Sequence, residues 1–147
     1  MKVLVVRIAK GEVYVAEECV ASIKKGIAVF VGIDKTDTHS NLAVLAEKIV
    51  NLRIFEDEEE KLAYSVKDKG YSTLCIPNFT LCANTAKGRR PSFEDCMPYE
   101  EANKLFDDFV MLLKSYGVNV EEGVFGAYMD IRLSVDGPVN IILESDK

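Results

Sequence analysis

Residues 74–93, LCIPNFTLCANTAKGRRPSF, decide how the rest of the chain is interpreted. The segment begins as an apolar, strand-like run and passes through Asn78, Phe79 and Thr80. It then opens into a polar loop that carries the cations Lys87, Arg89 and Arg90. A buried strand that delivers backbone N–H groups beside a basic loop suits an anionic or ester-bearing ligand.

The bulk composition predicts a single globular domain over residues 1–147. Hydrophobic residues make up 48% of the chain and charged residues 29%, which is typical of a folded rather than a disordered protein. The chain contains no apolar run near the roughly 20 residues of a membrane helix, and its first residues are interrupted by charge too early for a signal peptide. Four cysteines without CxxC spacing favour reduced thiols, and therefore a cytoplasmic protein without a membrane association.

The charge pattern restricts the way in which the chain binds nucleic acid. A net charge of −6 argues against a surface that grips DNA or RNA over its whole extent. The acidic run EDEEEK at 56–61 lies apart from the basic loop. Local, salt-sensitive binding to one end of an RNA is compatible with this pattern, and no DNA partner is expected.

Hydrophobic periodicity predicts two main helices and seven or eight strands. Leu42, Leu45 and Ile49 recur at helical spacing, which indicates a helix over 38–51 with Asp37 or Thr38 as N-cap. A second helix is predicted from Pro98 to Gly117. The predicted strands are 3–8, 13–23, 27–33, 52–55, 73–78, 118–120, 127–133 and 139–143, with Lys10-Gly11, Lys24-Lys25-Gly26 and Gly137-Pro138 as turns. This order predicts an α+β (α/β) domain whose mixed, mostly antiparallel sheet curls into a barrel.

The residue types present disfavour several kinds of chemistry. The only histidine, His39, lies at the polar start of a helix, so neither a metal site nor a Ser-His or Cys-His mechanism is indicated. Cys75, Cys82 and Thr80 lack a neighbouring base and are better explained as strand residues. No metal or cofactor is expected, and the chemistry must depend on backbone dipoles, on unusual acids or on the substrate itself.

Three further features have a functional interpretation beside an ordinary one. The Lys87–Pro91 run, KGRRP, is either a solvated turn or a cationic knuckle suited to phosphate. Gly137-Pro138 is by default a turn. Phe125, between Gly123 and Gly126, marks a possible close approach of the backbone.

Several motifs in order along the whole chain resemble the D-aminoacyl-tRNA deacylase family, once called D-tyrosyl-tRNA deacylases. They are NLRIFED at 51–57, SVKD at 65–68, FTL at 79–81, KGRRPSF at 87–93, GVFGA at 123–127 and DGPV at 136–139. The resemblance extends from Met1 to about Leu143.

The resemblance implies a fold, an assembly and a reaction. It implies a homodimer that hydrolyses the ester between a D-amino acid, or glycine, and the 3′-terminal adenosine of tRNA. Asn78, Phe79 and Thr80 would form the catalytic segment, with Pro77 and Phe125 contacting substrate. Gly137 and Pro138 would enter the partner's site in cis and exclude L side chains. The cations Lys87, Arg89 and Arg90 would bind tRNA phosphates.

Both family signatures are altered in this chain. Ser-Gln-x-x-Leu becomes Pro77-Asn78-Phe79-Thr80-Leu81, and Asn-x-Gly-Pro-x-Thr becomes Val135-Asp136-Gly137-Pro138-Val139-Asn140. Two alternatives therefore stay open. One is a related deacylase with relaxed chirality that acts on L-alanyl-tRNA and has a trans Gly137-Pro138 bond. The other is a homologue that binds tRNA or another nucleic acid without turnover.

Overall fold

The first strand, β1 (Lys2–Val15), organises the sheet. In the computed structural model, which describes residues 1–145, its first half pairs with β3 (Gly26–Gly32) and its second half with β2 (Glu18–Ile23). The long last strand, β8 (Asp130–Glu144), pairs with β1 along nearly its whole length. All three pairings are antiparallel, so β1 is the strand that connects β2, β3 and β8 in one sheet. The last two residues of the predicted domain, 146 and 147, lie outside the described residues.

Two parallel strands complete the main sheet. β6 (Ser72–Pro77) pairs with β3, and β7 (Asn119–Glu122) pairs with β6, which gives the order β2-β1-β3-β6-β7 with β8 added on β1. Because β2 also approaches β6 and β7, the sheet nearly closes into a barrel. A short hairpin, β4 (Phe55–Glu56) and β5 (Leu62–Tyr64), carries the acidic run at its turn. The predicted mixed, mostly antiparallel sheet that curls into a barrel is confirmed.

Three α-helices and one 3-10 helix join these strands. α1 (His39–Asn51) and α3 (Tyr99–Ser115) are the two predicted helices, and Thr38, rather than the alternative Asp37, is the N-cap of α1. Pro98 is the N-cap of α3 rather than its first residue. The sequence analysis did not predict α2 (Val66–Lys69) or the 3-10 helix, whose bounds are Phe79–Cys82. None of the helices among residues 1–145 is long and apolar enough to cross a membrane.

Both faces of the sheet are buried, which explains the continuous apolar run of β6. Leu74 and Ile76 belong to a cluster inside the barrel, whereas Cys75 belongs to a larger cluster formed with α1 and α3. Successive residues of a strand point to opposite faces. A strand between two cores therefore loses the apolar–polar alternation that marks a half-exposed strand.

The predicted turn at Lys10-Gly11 is wrong. β1 continues through Lys10-Gly11, because Gly11 pairs with both Ile23 and Leu133. A side chain at Gly11 would lie 2.8 Å from Ile8 Cδ1, so the glycine permits close packing rather than a turn. The chain reverses instead at Ala16 and Glu17, which have φ values of 49° and 68° and divide the predicted strand 13–23 into two.

The C-terminal strands also differ from the prediction. Residues 127–133 and 139–143 were expected to form two strands, yet β8 is continuous from Asp130 to Glu144 and includes Gly137-Pro138. The predicted strand 52–55 is reduced to Phe55–Glu56. The remaining predicted strands are confirmed with small changes at their ends.

Candidate functional site

The end of β6 places a short turn of helix at the surface. Pro77 is the last residue of β6, and the Asn78 N–H donates to the Val31 carbonyl at 2.7 Å, which continues the pairing with β3 by one residue. The chain then turns into the 3-10 helix, whose first turn is closed by the Leu81 N–H donating to the Asn78 carbonyl at 3.3 Å. Gly32 permits this turn, because a Cβ there would lie 2.9 Å from Leu81 Cβ.

The amides of Phe79 and Thr80 are available to a ligand. They are the first N–H groups of the 3-10 helix, which lack an acceptor within the helix, and neither has a hydrogen-bond acceptor elsewhere among residues 1–145. The Thr80 hydroxyl donates to Asn78 Oδ1 at 2.5 Å, so the side chain of Asn78 is held against the same turn. Two adjacent, unpaired N–H groups on an anchored turn can bind a developing oxyanion.

An apolar cavity of about 320 Å³ lies beside this turn. Two edge-to-face aromatic pairs, Phe79 with Phe93 and Tyr99 with Phe125, have ring centroids 5.2 and 5.1 Å apart. Such a cavity suits a flat ring or an apolar side chain. We call it the aromatic cavity; its lining residues are Val31, Ile33, Asn78, Phe79, Phe93, Cys96, Met97, Tyr99, Ala102 and Phe125.

The structure brings together three of the predicted site residues, Asn78, Phe79 and Phe125, in this cavity. Thr80 and Pro77 adjoin it along the chain without lining it. Tyr99 and Phe93 were not singled out in the sequence. Aromatic residues are common in cores, and only their exposure, 60% for Tyr99 and 39% for Phe93, distinguishes these two.

Gly137 and Pro138 lie on β8, away from the aromatic cavity of the same chain. The peptide between them is cis, and not trans as the relaxed-chirality alternative expects. Val6 pairs with Asn140 and Ile8 with Val135, so residues 136–139 bulge outward opposite one residue of β1. The two residues therefore form a projecting corner within the strand rather than a turn between strands.

Arg7, which the sequence analysis did not identify, holds this corner. Its side chain is 6% exposed; Nε donates to the Asp136 carbonyl at 3.1 Å and Nη1 to the Ile54 carbonyl at 2.8 Å. Glu56 and the Asp136 carboxylate, at 3.5 and 3.4 Å, balance its charge. A planar guanidinium bonded on both sides fixes the position of the bulge relative to the β4 hairpin.

The cationic loop is open to solvent. Lys87, Arg89 and Arg90 are all exposed, and none has a carboxylate within ion-pair distance among the described residues. Paired hydrogen bonds between Asn84 and Ser92, at 2.8 and 2.9 Å, close the base of the loop. The loop therefore presents three unneutralised cations from a closed base, which suits phosphate.

The thiols of Cys75 and Cys82 and the imidazole of His39 are poorly suited to nucleophilic chemistry. Burial raises the pKa of Cys75, and burial together with Asp34 raises the pKa of Cys82 to about 12. His39 is exposed and its Nε2 lies 2.8 Å from Asp108 Oδ2 on α3, far along the chain from the turn. Within residues 1–145, His, Cys, Asp and Glu form no group of three or more suited to a metal.

Comparisons with known proteins agree with this architecture. A solved structure named c-Myc DNA Unwinding Element Binding Protein superposes with a TM-score of 0.94 at 40% identity, with 100% of each chain covered. A second, named as a probable eukaryotic D-amino acid tRNA deacylase, superposes with a TM-score of 0.82 at 18% identity over 97% of each chain, which shows the shared fold alone. The fold thus defines the class, a single-domain α+β protein with the deacylase-type barrel.

The family follows from sequence similarity. Residues 4–144 match the family described as D-Tyr-tRNA(Tyr) deacylase. Proteins named D-aminoacyl-tRNA deacylase are 48% identical over 147 residues in Clostridium perfringens strain 13 and 46% identical over 145 residues in Thermodesulfovibrio yellowstonii. These alignments cover 99–100% of this chain and 99% of each relative. The chain belongs to the D-Tyr-tRNA(Tyr) deacylase family, and the predicted resemblance is confirmed.

Proposed function

We propose that the protein hydrolyses the ester of D-aminoacyl-tRNA and, as a second substrate, glycyl-tRNA mischarged on tRNA-Ala. Membership of the family supports the reaction. The unpaired amides of Phe79 and Thr80 at the edge of an aromatic cavity carry the proposal, because ester hydrolysis requires stabilisation of an oxyanion more than a strong nucleophile.

The mechanism uses main-chain atoms and water. Water adds to the ester carbonyl, and the oxyanion of the tetrahedral intermediate accepts hydrogen bonds from the amides of Phe79 and Thr80, each worth about 3–4 kcal/mol by analogy with other oxyanion holes. Collapse of the intermediate releases the free amino acid and returns a proton to the 3′ oxygen of tRNA. The substrate's own terminal 2′-hydroxyl would assist the water, as the family resemblance implies.

The aromatic cavity would receive the terminal adenine. Its lining is largely apolar, with edge-to-face rings on two sides, and bases splayed from a single-stranded end stack on such rings. Asn78 and Phe79 line the cavity and also form the turn that presents the amides. Base binding would therefore place the ester on the adjoining ribose next to the oxyanion donors.

A homodimer would complete the site with a chirality filter. The corner at Gly137-Pro138 projects from β8 and does not line the aromatic cavity of its own chain. β8 pairs only with β1 among the described strands, and its exposed side chains include Ile142 at 69% and Val135 at 49%. A second copy packed on this strand would bring each corner to the other chain's cavity, where backbone carbonyls exclude an L side chain.

The cationic loop would contact the acceptor-stem phosphates. Lys87, Arg89 and Arg90 are exposed and unpaired in an acidic protein, so the interaction should weaken as salt is raised. With tRNA as the substrate, the proposed location is the cytoplasm.

The direct test measures release of amino acid from D-tyrosyl-tRNA, glycyl-tRNA-Ala and L-tyrosyl-tRNA. We expect rapid release from the first two and none above background from the third. The absence of hydrolysis of any D-aminoacyl or glycyl ester at micromolar enzyme would refute the proposal.

A nucleic-acid-binding homologue without turnover is the second candidate. The neighbour at 40% identity whose name refers to a DNA unwinding element supports it, together with the altered signature at Pro77 and Asn78. It predicts salt-dependent binding of tRNA or DNA without ester cleavage. In that case, restoring the family residues in the double variant Pro77→Ser, Asn78→Gln should produce hydrolysis.

A further inference from the structure

A second cavity is lined by Cys82 at the end of the 3-10 helix, whereas Phe79 at its start lines the aromatic cavity. Its volume is about 440 Å³, within the range of roughly 300–1,000 Å³ of small-ligand sites. Its walls are mainly polar, and we call it the polar cavity. Its lining residues are Met1, Lys2, Asp34, Cys82, Ala83, Asn84, Thr85, Ala86, Asp95, Glu144 and Ser145.

The two cavities share one thin wall. Cys96 lines the aromatic cavity and Cys82 the polar cavity, and the Cys96 thiol donates to the Phe79 carbonyl at 3.5 Å. Asp34 of the polar cavity forms a β-bridge with Cys96, and its neighbour Ile33 lines the aromatic cavity. The two cavities are therefore neighbours, separated by residues that contact one another.

Along the chain, five lining residues of the polar cavity, 82–86, lie between the proposed ester site and the cationic loop. Asn84, Thr85 and Ala86 line it, and Lys87 is the next residue along the chain. The order along the chain is thus the amides at 79 and 80, the polar cavity at 82–86 and the cations at 87–90. That order is the one in which a single-stranded 3′ end, followed by a duplex stem, would meet the protein.

The chemistry of the lining fits a cytosine. Asp34 pairs with the N-terminal ammonium at 3.4 Å and Asp95 with Lys35 at 3.1 Å. The remaining lone pairs of these two carboxylates are acceptors suited to the exocyclic amine of cytosine. Lys2 and Thr85 offer donors for the ring nitrogen and the carbonyl of the base. Asn84 Oδ1 accepts from the Ala86 N–H at 3.0 Å, so its amide nitrogen remains as a further donor on a fixed side chain.

We propose that the polar cavity binds the base of the nucleotide immediately 5′ of the terminal adenosine, and that this base is a cytosine. This inference rests on the proposed function for the position of the adenosine. It adds a subsite that reads the penultimate nucleotide and that helps to direct the acceptor end toward the cationic loop. The acidic groups of the lining would face the base, while the phosphates would lie toward the loop.

Binding measurements test the subsite independently of turnover. The ligands are adenosine 5′-monophosphate and the uncharged trinucleotides CCA and CUA, where uracil replaces the exocyclic amine of the penultimate base with a carbonyl. We expect CCA to bind at least about tenfold more tightly than the mononucleotide or CUA. Equal affinities for CCA and CUA would overturn the inference.

A cavity-filling variant tests whether the preference for CCA over CUA arises in the polar cavity. Ala86→Trp fills the polar cavity from an exposed position, and it should bring the affinity for CCA to that of CUA. Ala43→Trp, at an exposed position on α1, is the matched control and should keep the preference. A preference for CCA that survives in Ala86→Trp would overturn the inference.

Hydrolysis separates this inference from the proposed function. D-tyrosyl esters of adenosine and of CCA are compared by kcat/KM in the wild type. Cleavage of both, with the CCA ester favoured about tenfold, supports both proposals. Preferential binding of CCA without cleavage of either ester would refute the proposed function and leave the subsite standing.

Discussion

At residue 79 the proposed chemistry depends on the main-chain N–H and not on the ring. Phe79 is the first residue of the 3-10 helix, where proline is well accommodated. Asn78 before it has a non-helical backbone, with φ −147° and ψ 84°, as the residue before a proline requires. Phe79→Ala removes the ring alone, whereas Phe79→Pro removes the ring and the amide hydrogen. We expect kcat of Phe79→Pro to fall about 10²–10³-fold below that of Phe79→Ala.

Single-turnover hydrolysis of D-tyrosyl-tRNA checks this difference, with thermal unfolding to show that both variants are folded. Equal rate constants for the two variants would remove the Phe79 amide from the mechanism. The comparison does not depend on how much the ring contributes to binding, because both variants lack it.

The thiol of Cys82 makes the stability depend on alkaline pH. Its pKa is raised from 9.0 to about 12 by burial and by Asp34, so the unfolded chain loses this proton at lower pH than the folded chain does. The contribution to the free energy of unfolding is fully present below pH 9 and is lost as the pH rises toward 12.

Urea unfolding of the wild type and of Cys82→Ala at pH 8 and pH 10.5 measures this contribution. The variant loses packing at both pH values, so only the change in the difference is informative. We expect the difference in free energy of unfolding between the wild type and the variant to be smaller at pH 10.5 than at pH 8. The titration of lysines and tyrosines affects both proteins alike and cancels in this difference. A difference that is constant between the two pH values would contradict the raised pKa.

At the scale of elements, the join between β3 and β6 depends on the absence of a side chain. A Cβ at Gly26 would lie 1.8 Å from the Ser72 carbonyl oxygen, at the first pair of the parallel ladder. Gly26→Ala must therefore move one strand, and we expect it to lower the free energy of unfolding by more than about 2 kcal/mol.

The control for this substitution is Gly117→Ala, after α3. Gly117 has a φ of 82° and nothing within 4 Å of a new Cβ, so only the cost of the left-handed backbone remains, about 1–2 kcal/mol. Urea unfolding ranks the two variants. A smaller loss of unfolding free energy for Gly26→Ala than for Gly117→Ala would show that β6 can shift at little energetic cost.

Short-range sequence patterns predicted the elements that depend on neighbouring residues alone. The spacing of apolar residues predicted α1 and α3, and Thr38 was one of the two predicted N-caps of α1, because N-cap preferences act within one turn. β6 was identified from its apolar run. By contrast, β1 continues through Lys10-Gly11 because it pairs there with β8, and Gly11 and its partner Leu133 are more than 120 residues apart in the chain. No local pattern encodes this pairing.

The same distinction holds for the candidate site. Asn78, Phe79 and Phe125 were predicted from motifs, and the structure brings them to one cavity; their roles stay predictions. Arg7 was missed because its partners, Ile54 and Asp136, lie 47 and 129 residues away. The exposure of Tyr99 and the unpaired state of the amides at 79 and 80 are likewise properties of the folded chain.

At the scale of the whole molecule, the proposed site is divided between two chains. In the proposed homodimer, the amides of the 3-10 helix would belong to one chain and the Gly137-Pro138 corner to the other, so a defect in each should be complemented in a mixed dimer. Phe79→Pro damages the first part. Gly137→Ala damages the second, because its Cβ would lie 2.7 Å from the Val139 N and 3.3 Å from Arg7 Nη2.

Co-expression of these two variants with different tags gives the test. Each homodimer should be nearly inactive, whereas random assembly gives half mixed dimers, each with one intact site of two. We therefore expect about a quarter of the wild-type activity in the unfractionated mixture, and about half in mixed dimers purified through both tags. Activity that stays at the level of the separate variants, in mixed dimers shown to form, would place both parts of the site within one chain.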